Sequence, residues 1–295
     1  MKKKRTTVKE KHTAVEEKKV PVSKGFRTLL FTINWSITEP PGDCQEILDA
    51  GQNTSGVYTI QHACQNMQVY CRMEPESGKG YIVFQRRLDG SVSFNRTWQE
   101  YFEGFGNLTG EFWLGNQKLH SLTHNLGWEL VITLRAFDGD EARVRYRYFK
   151  MQLSSERKYQ LSVGGFNAES GDAGDSLHGH NFWYFSTSDK DYDLDGENCA
   201  EKFHGGWWYS YCGSDNFKSN LNGLYYNNAT VGDYMGIQWV TWKGKQVSLK
   251  GCEMMARPEW ITPTLKDDPK IIQTTSEIKD CQNYLSSPPR VPRSS

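Results

Sequence analysis

The chain has seven cysteines, yet no two of them form a C-x-x-C pair. That absence argues against zinc ribbons and thioredoxin-like redox sites. There is no H-E-x-x-H, no G-x-S-x-G and no phosphate-binding glycine loop, so the expectation is that the protein is not an enzyme. Charge of one sign is missing too. Lys and Arg total 35, Asp and Glu total 35, and no whole-chain pull toward nucleic acid or membrane results. No apolar run is long enough to span a bilayer. The best stretch, FRTLLFTINW from Phe26 to Trp35, is broken by Arg27, Thr28, Thr32 and Asn34. It is also a poor signal-peptide core. With no convincing export signal, the chain reads as a fragment or an incomplete gene model rather than a cytosolic product. No internal repeat, collagen run or heptad array is present. Hydrophobic content is only 37%, with 13% aromatic, so a core here must be built from rings more than from aliphatic side chains.

The zero net charge conceals an asymmetry. Residues 1–24 carry nine Lys or Arg against Glu10, Glu16 and Glu17. This basic tail lacks aromatic interleaving and a folded scaffold, so it reads as solvated and no nucleic-acid partner is expected. The cysteines (Cys44, Cys64, Cys71, Cys199, Cys212, Cys252, Cys281) are widely spaced in a glycine- and aromatic-rich chain. Such spacing suits disulfides and therefore an oxidising compartment, and the odd count leaves at least one cysteine free or intermolecular. N-x-[ST] sequons at Asn34, Asn53, Asn95, Asn107 and Asn228 point the same way, to an extracellular, secreted glycoprotein.

Three regions follow. Residues 1–42 form a basic, irregular segment ending in EPPG. Residues 259–295 form a tail ending in SSPPRVPRSS, of disordered composition. The compact part is 43–258. Within it SGVYTI, GYIVFQRR, WELVITLRAFDG and EARVRYRYFKM are strand-like. The last alternates Val144, Tyr146, Tyr148 and Phe149 or Met151 against Arg143, Arg145 and Arg147, as an antiparallel strand with one wet face does. AFDGDEARV reads as a hairpin turning at Asp-Gly. TWQEYFEGFG and LGNQKLHSLTHN suit two short helices. Residues 164–236 are nearly free of periodicity, and an irregular region of that length needs a disulfide, a metal or both.

That region contains STSDKDYDLDGENC, Ser186 to Cys199, with Asp189, Asp191, Asp193 and Asp195 at alternate positions. The bland reading is a solvated acidic loop. The sharper reading is a calcium site, because calcium takes six to eight oxygen ligands and short carboxylates supply them closely spaced. The pattern argues against an EF-hand: its twelfth position requires Glu, counting from Asp191 that position is Lys202, and no amphipathic helices bracket the run. His178 and His180, in LHGH, have a metal-ligand spacing, but they read better as loop or packing residues.

DCQEILDAG, SGVYTI, VYCRM, VFQRRLDGSVSFNRTWQEYFEGFGNLTGEFWLGNQKLHSLT, KYQLSVGGF, GDSL, FSTSDKDYD, ENCA, GGWWYSYC, NLNG and SLKGCEMMARP occur in this order. Over residues 43–258 the chain thereby resembles the fibrinogen C-terminal domain family, with its ficolin, tachylectin, angiopoietin and tenascin branches. The resemblance implies an α+β fold: a small N-terminal subdomain, a central mainly antiparallel sheet with short helices, and a loop-rich C-terminal subdomain that binds calcium. It pairs Cys44 with Cys71 and Cys199 with Cys212. Cys64–Cys252 is then a possible extra bridge, and Cys281 a possible interchain one. Counting back from Cys199, the resemblance makes Asp191 and Asp193 side-chain ligands of Ca2+ and makes Asp195 and Glu197 carbonyl donors, with Asp189 in support. It places a ligand pocket at Phe203, Tyr211, Cys212, Gly213 and Tyr234, beside a cis peptide at Tyr211–Cys212. The chain departs from the acetyl-binding pattern there. Phe203 stands where lectin members often have Tyr, Gly213 where His is frequent, and about four extra residues follow Cys212. Trp207 and Trp208 read as core. The implied function is recognition of acetylated or other glycans in innate defence. The alternative is a protein receptor or matrix partner, as in the angiopoietin and tenascin branches. Clustering of copies would supply avidity in either case.

Overall fold

A computed structural model of the chain describes residues 40–259 except Leu126, Ser214 and Asp215. The N-terminal segment before residue 40 and the tail beyond 259, including Asn34 and Cys281, lie outside the described residues. The strands are β1 (Gly56–His62), β2 (Gln65–Glu74), β3 (Lys79–Arg87), β4 (Phe105–Gly106), β5 (Phe112–Trp113), β6 (Trp128–Arg135), β7 (Glu141–Leu153), β8 (Tyr159–Ser170), β9 (Ser219–Asn220), β10 (Gln238–Trp239) and β11 (Gly251–Pro258). Helices α1 (Cys44–Asp49), α2 (Trp98–Glu103), α3 (Asn116–Thr123) and α4 (Cys199–Phe203) are short. The main sheet runs β1-β2-β3-β11-β6-β7-β8, and each neighbouring pair is antiparallel. The α+β expectation holds.

The last strand lies at the centre. β11 pairs with β3 on one side and β6 on the other, so GCEMMARP is almost wholly buried. A strand covered on both faces does not alternate, and no periodicity marks it in the sequence. β6 and β7 form the expected hairpin, with Gly139 in the turn at φ 94°. The alternation in β7 is interrupted. Trp128 pairs with Phe149 but Leu130 pairs with Tyr146, so Arg147 and Tyr148 bulge opposite Glu129. Tyr148 is therefore exposed, contrary to its expected place on the apolar face. β8 also extends to Ser170, so the irregular region begins later than residue 164.

Both predicted short helices form. α2 is started by Thr97, whose side chain accepts from Glu100 N while the Glu100 carboxylate takes the Thr97 N–H. α1 is capped by Asp43, which accepts from Gln45 N and Glu46 N, and a Cys44–Cys71 disulfide fastens it to β2. Rings fill the core. Trp113, Phe185 and Tyr101 meet in one cluster, joined by Trp208. Trp207, Trp208, Trp239 and Tyr209 have no exposed surface.

The polar end of β3 positions the irregular region. Arg87, 1% exposed, donates to the carbonyls of Leu221 and Gly223, and Gln85 donates to Leu221 O and Asn222 Oδ1. Asn222 in turn donates to Gly206 O. The buried Glu111 carboxylate accepts from the N–H groups of Leu88, Asp89, Gly90 and Val92, shaping the turn after β3. The beginning of the outer edge of β8 is covered by the chain itself: Phe182 N donates to Leu161 O, Leu161 N to Trp183 O and Phe185 N to Tyr159 O.

Candidate calcium and ligand site

The acidic run is wound by a repeated local bond. Asp191 Oδ1 accepts from Asp193 N at 3.0 Å, Asp193 Oδ1 from Asp195 N at 2.9 Å and Asp195 Oδ1 from Glu197 N at 3.3 Å. Each is the side-chain turn that Asp favours, and the alternating spacing lets three follow one another. The run closes on the Cys199–Cys212 disulfide. Asp193 Oδ2 accepts from Cys199 N at 3.0 Å, and Asp195 Oδ2 accepts from Cys212 N at 2.9 Å. Asp189 faces the other way. It accepts from Trp98 N at the start of α2 and from the Thr187 hydroxyl. It is thus a support and not part of the nest.

The electrostatics fit a hard cation. Burial and the neighbouring Asp191 push the Asp193 carboxyl up to about 6, even though it accepts two backbone N–H bonds. Neither nearby lysine pairs with Asp191 or Asp193: Lys190 lies over the Trp98 ring, and Lys202 pairs with Glu197 at the end of the run. The Asp195 carboxyl is held below its usual range by the Cys212 N–H. That side chain ties the loop to the disulfide. Asp193 Oδ also lies within 4.8 Å of the Cys199 and Cys212 sulfurs. Those sulfurs are bonded to each other, so they are not thiolate ligands, and the oxygens of the run are the better donor set.

Two aromatic members of the expected pocket, Phe203 and Tyr234, pack closely with Phe217. Phe203, on α4, is 4% exposed and stacks on Phe217 with ring centroids 4.7 Å apart. Tyr234 meets Phe217 edge-on at 5.2 Å and Phe203 at 6.5 Å. Gly213 sits at φ 71°, where a Cβ would lie 3.7 Å from the Tyr234 ring. Tyr211 is 45% exposed and Cys212 half-buried. Two cavities of about 490 Å3 lie elsewhere, one between the β1–β2 hairpin and α3, the other over the arginine-rich outer face of the sheet.

Two expectations are corrected. No cis peptide occurs among the described residues, so Tyr211–Cys212 is trans. A trans bond is favoured by about 3–4 kcal/mol for a non-proline residue, and in this form the Cys212 N–H reaches Asp195. Cys252 does not pair with Cys64: it is buried and free in β11, beside Gln85, while Cys64 is disulfide-bonded. Burial pushes the Cys252 thiol up to about 12.

His180 is a packing residue. Nδ1 contacts Trp208 O at 2.9 Å and Nε2 accepts from Ser219 N at 3.1 Å. That pattern places the proton on Nδ1, and burial holds the ring neutral with its pKa lowered to about 4. Phe217 and Glu111 were not legible as site-shaping residues. Phe217 falls among the extra residues after Cys212, where no motif stands, and Glu111 reads as one more charge in a loop.

Residues 40–259 match the family model described as fibrinogen beta and gamma chains, C-terminal globular domain. The chain belongs to the fibrinogen C-terminal domain family. Among its relatives is mouse fibrinogen C domain-containing protein 1, 44% identical over 221 residues, covering 73% of this chain and 46% of that protein. Human ficolin-3 is 41% identical over 223 residues, covering 74% of this chain and 71% of ficolin-3. The fibrinogen-like globe of human ANGPTL6 superposes with a TM-score of 0.69 at 38% identity, over 76% of this chain and 97% of that one. Lamprey fibrin D-dimer, solved with the peptide Gly-His-Arg-Pro-amide, gives 0.66 at 31% identity, over 82% and 83%. The chain spans about half the length of the fibrinogen C domain-containing relatives. No helix among the described residues is long and apolar enough to cross a membrane.

Proposed function

We propose that this fibrinogen-like domain, residues 43–258 between an N-terminal segment and a C-terminal tail, is a secreted calcium-binding module that recognises a glycan. The observation that supports it most is the run of three aspartates ending on both halves of one disulfide. Asp191 and Asp193 hold the ion through side chains, Asp195 and Glu197 through carbonyls. Bound calcium neutralises the crowded carboxylates and stiffens the loop. Asp195 passes that stiffness to Cys212, and so to Tyr211 and Gly213 on the ligand side. The task in this reading is binding, as in the non-enzymatic fibrinogen-like relatives. The sequon residues Asn53, Asn95, Asn107 and Asn228 are all exposed, which supports glycosylation and an extracellular setting.

A second reading, binding of a protein receptor or matrix partner, is favoured by the filled space between Phe203 and Tyr234. A glycan array probed with and without chelator separates the two. Chelator-sensitive binding to sugars supports the first. Silence across the array, with affinity for a receptor ectodomain, supports the second and overturns the first.

A further inference from the structure

We propose that His120 and His124 form a site for a divalent transition metal of the zinc class, separate from the acidic loop. The segment HSLTH sets the two histidines four apart, His120 in α3 and His124 at its C-cap, still helical at φ −71° and ψ −27°. Side chains at that spacing lie on one face of a helix. Two helical histidines bind zinc at the same spacing in H-E-x-x-H, and Ser121 stands where that motif has its general base. The pair is equipped to hold a metal and not to drive hydrolysis with it.

Hydrogen bonding fixes the tautomer of each ring. His120 Nδ1 lies 2.8 Å from Met151 O on β7. His124 Nδ1 lies 2.9 Å from Ser121 O and 3.2 Å from His120 O. A carbonyl only accepts, so in both neutral rings the proton sits on Nδ1 and Nε2 keeps a bare lone pair. Neither Nε2 meets a donor among the described residues. Metal-ligating imidazoles are held in this way, with the other ring nitrogen donating to a backbone carbonyl.

The separation fits as well. The two ring centroids are 5.1 Å apart. Zinc about 2.0–2.1 Å from each Nε2, with about 1.1 Å more from nitrogen to ring centre, sets two centroids about 5 Å apart at a tetrahedral angle. Both residues are half-buried, and the Tyr159 ring backs His120 at 6.1 Å. Imidazole suits zinc, copper and nickel, whereas calcium takes oxygen, so the pair offers a metal what the acidic loop does not. His62 stands nearby, but its Nε2 is engaged by Ser121 O and Oγ at 2.9 and 3.0 Å. A bound metal clamps the last turn of α3 where Thr123 Oγ1 accepts from Met151 N, and so fastens that helix to β7.

The test titrates zinc into the native protein, His120→Gln, His124→Gln and His62→Gln by calorimetry, each with calcium in excess. Glutamine keeps an N–H for the carbonyl and removes the imidazole. The expected result is zinc binding by the native protein, weakened roughly tenfold or more in His120→Gln and in His124→Gln, and unchanged in His62→Gln. Long-range proton–nitrogen NMR of the native protein gives a second readout that needs no variant: zinc should shift Nε2 of both rings and leave both Nδ1 atoms protonated. No zinc-dependent change at those nitrogens overturns the proposal. So does a folded His120→Gln or His124→Gln that binds zinc as the native protein does. A loss in His62→Gln as large as in the other two overturns the pair as the ligand set.

Discussion

The Asp195 carboxylate accepts a 2.9 Å hydrogen bond from the backbone N–H of Cys212, seventeen residues further on. The same side chain also takes the Glu197 N–H, so it joins the acidic loop to the far half of the disulfide. Asp195→Ala leaves the half-buried Cys212 N–H without its partner. The expected loss is about 1–2 kcal/mol, read as a lower melting temperature, and Asp195→Asn should recover part of it through its retained carbonyl oxygen. An unchanged melt for the alanine variant would show that the bond carries no weight.

Calcium should raise the melting temperature of the native protein, because a cation relieves the repulsion between Asp191 and Asp193. The double variant Asp191→Ala, Asp193→Ala should melt at one temperature with or without calcium. An equal calcium response in native and double variant rules out these ligands.

His180 predicts an acid-side loss of stability. Its folded pKa is about 4, against about 6.5 unfolded. Between those values the unfolded chain binds the extra proton, so stability is complete above about pH 6.5 and falls as pH is lowered toward 4. The whole shift corresponds to roughly 3 kcal/mol. Asp43 acts in the opposite sense: burial raises its carboxyl to about 6, so its protonation favours the folded state as pH falls through the same range. Imidazole NMR shifts separate the two, with His180 expected to remain neutral at pH 5.

Glu111→Ala removes the acceptor of four backbone N–H groups and the carboxylate 3.8 Å from the buried Arg87. A loss of about 3–5 kcal/mol is expected, as for the breaking of other buried charged networks. Urea unfolding should show it as a lower midpoint at unchanged slope. Glu111→Gln, which keeps one acceptor oxygen, should lose less.

Cys252 should resist alkylation in the native protein and react once the chain is unfolded, because the buried thiol is held protonated. Peptide mass spectrometry after iodoacetamide, with and without guanidinium, reads the difference. Rapid native labelling contradicts the burial.

Much of the fold was legible because local chemistry and tertiary role agree. The Asp-Gly turn between β6 and β7, the short helix in TWQEYFEGFG and the early alternation of β7 are local signals that the packed structure keeps. β11 was not legible as a strand, since its pattern is erased by burial on both faces. Tyr148 was misplaced because a bulge opposite Glu129 changes the face without changing the sequence rhythm. The acidic run was visible as a local feature because each Asp reaches only two residues ahead, but the separate roles of its carboxylates came only with the family resemblance. The filled space around Phe203 was not visible: its occupant, Phe217, is brought there by pairing at Ser219 and by the buried His180, contacts made across long stretches of chain.

The covered edge of β8 bears on how copies of this domain can be brought together. An unpaired strand edge is a template for another chain, and many such edges at high density fuse sheets into aggregates. Along residues 159–163 the segment 181–185 occupies that row of amides. Multivalent display on a surface or a stalk can therefore crowd these domains side by side without inviting strand exchange along that stretch.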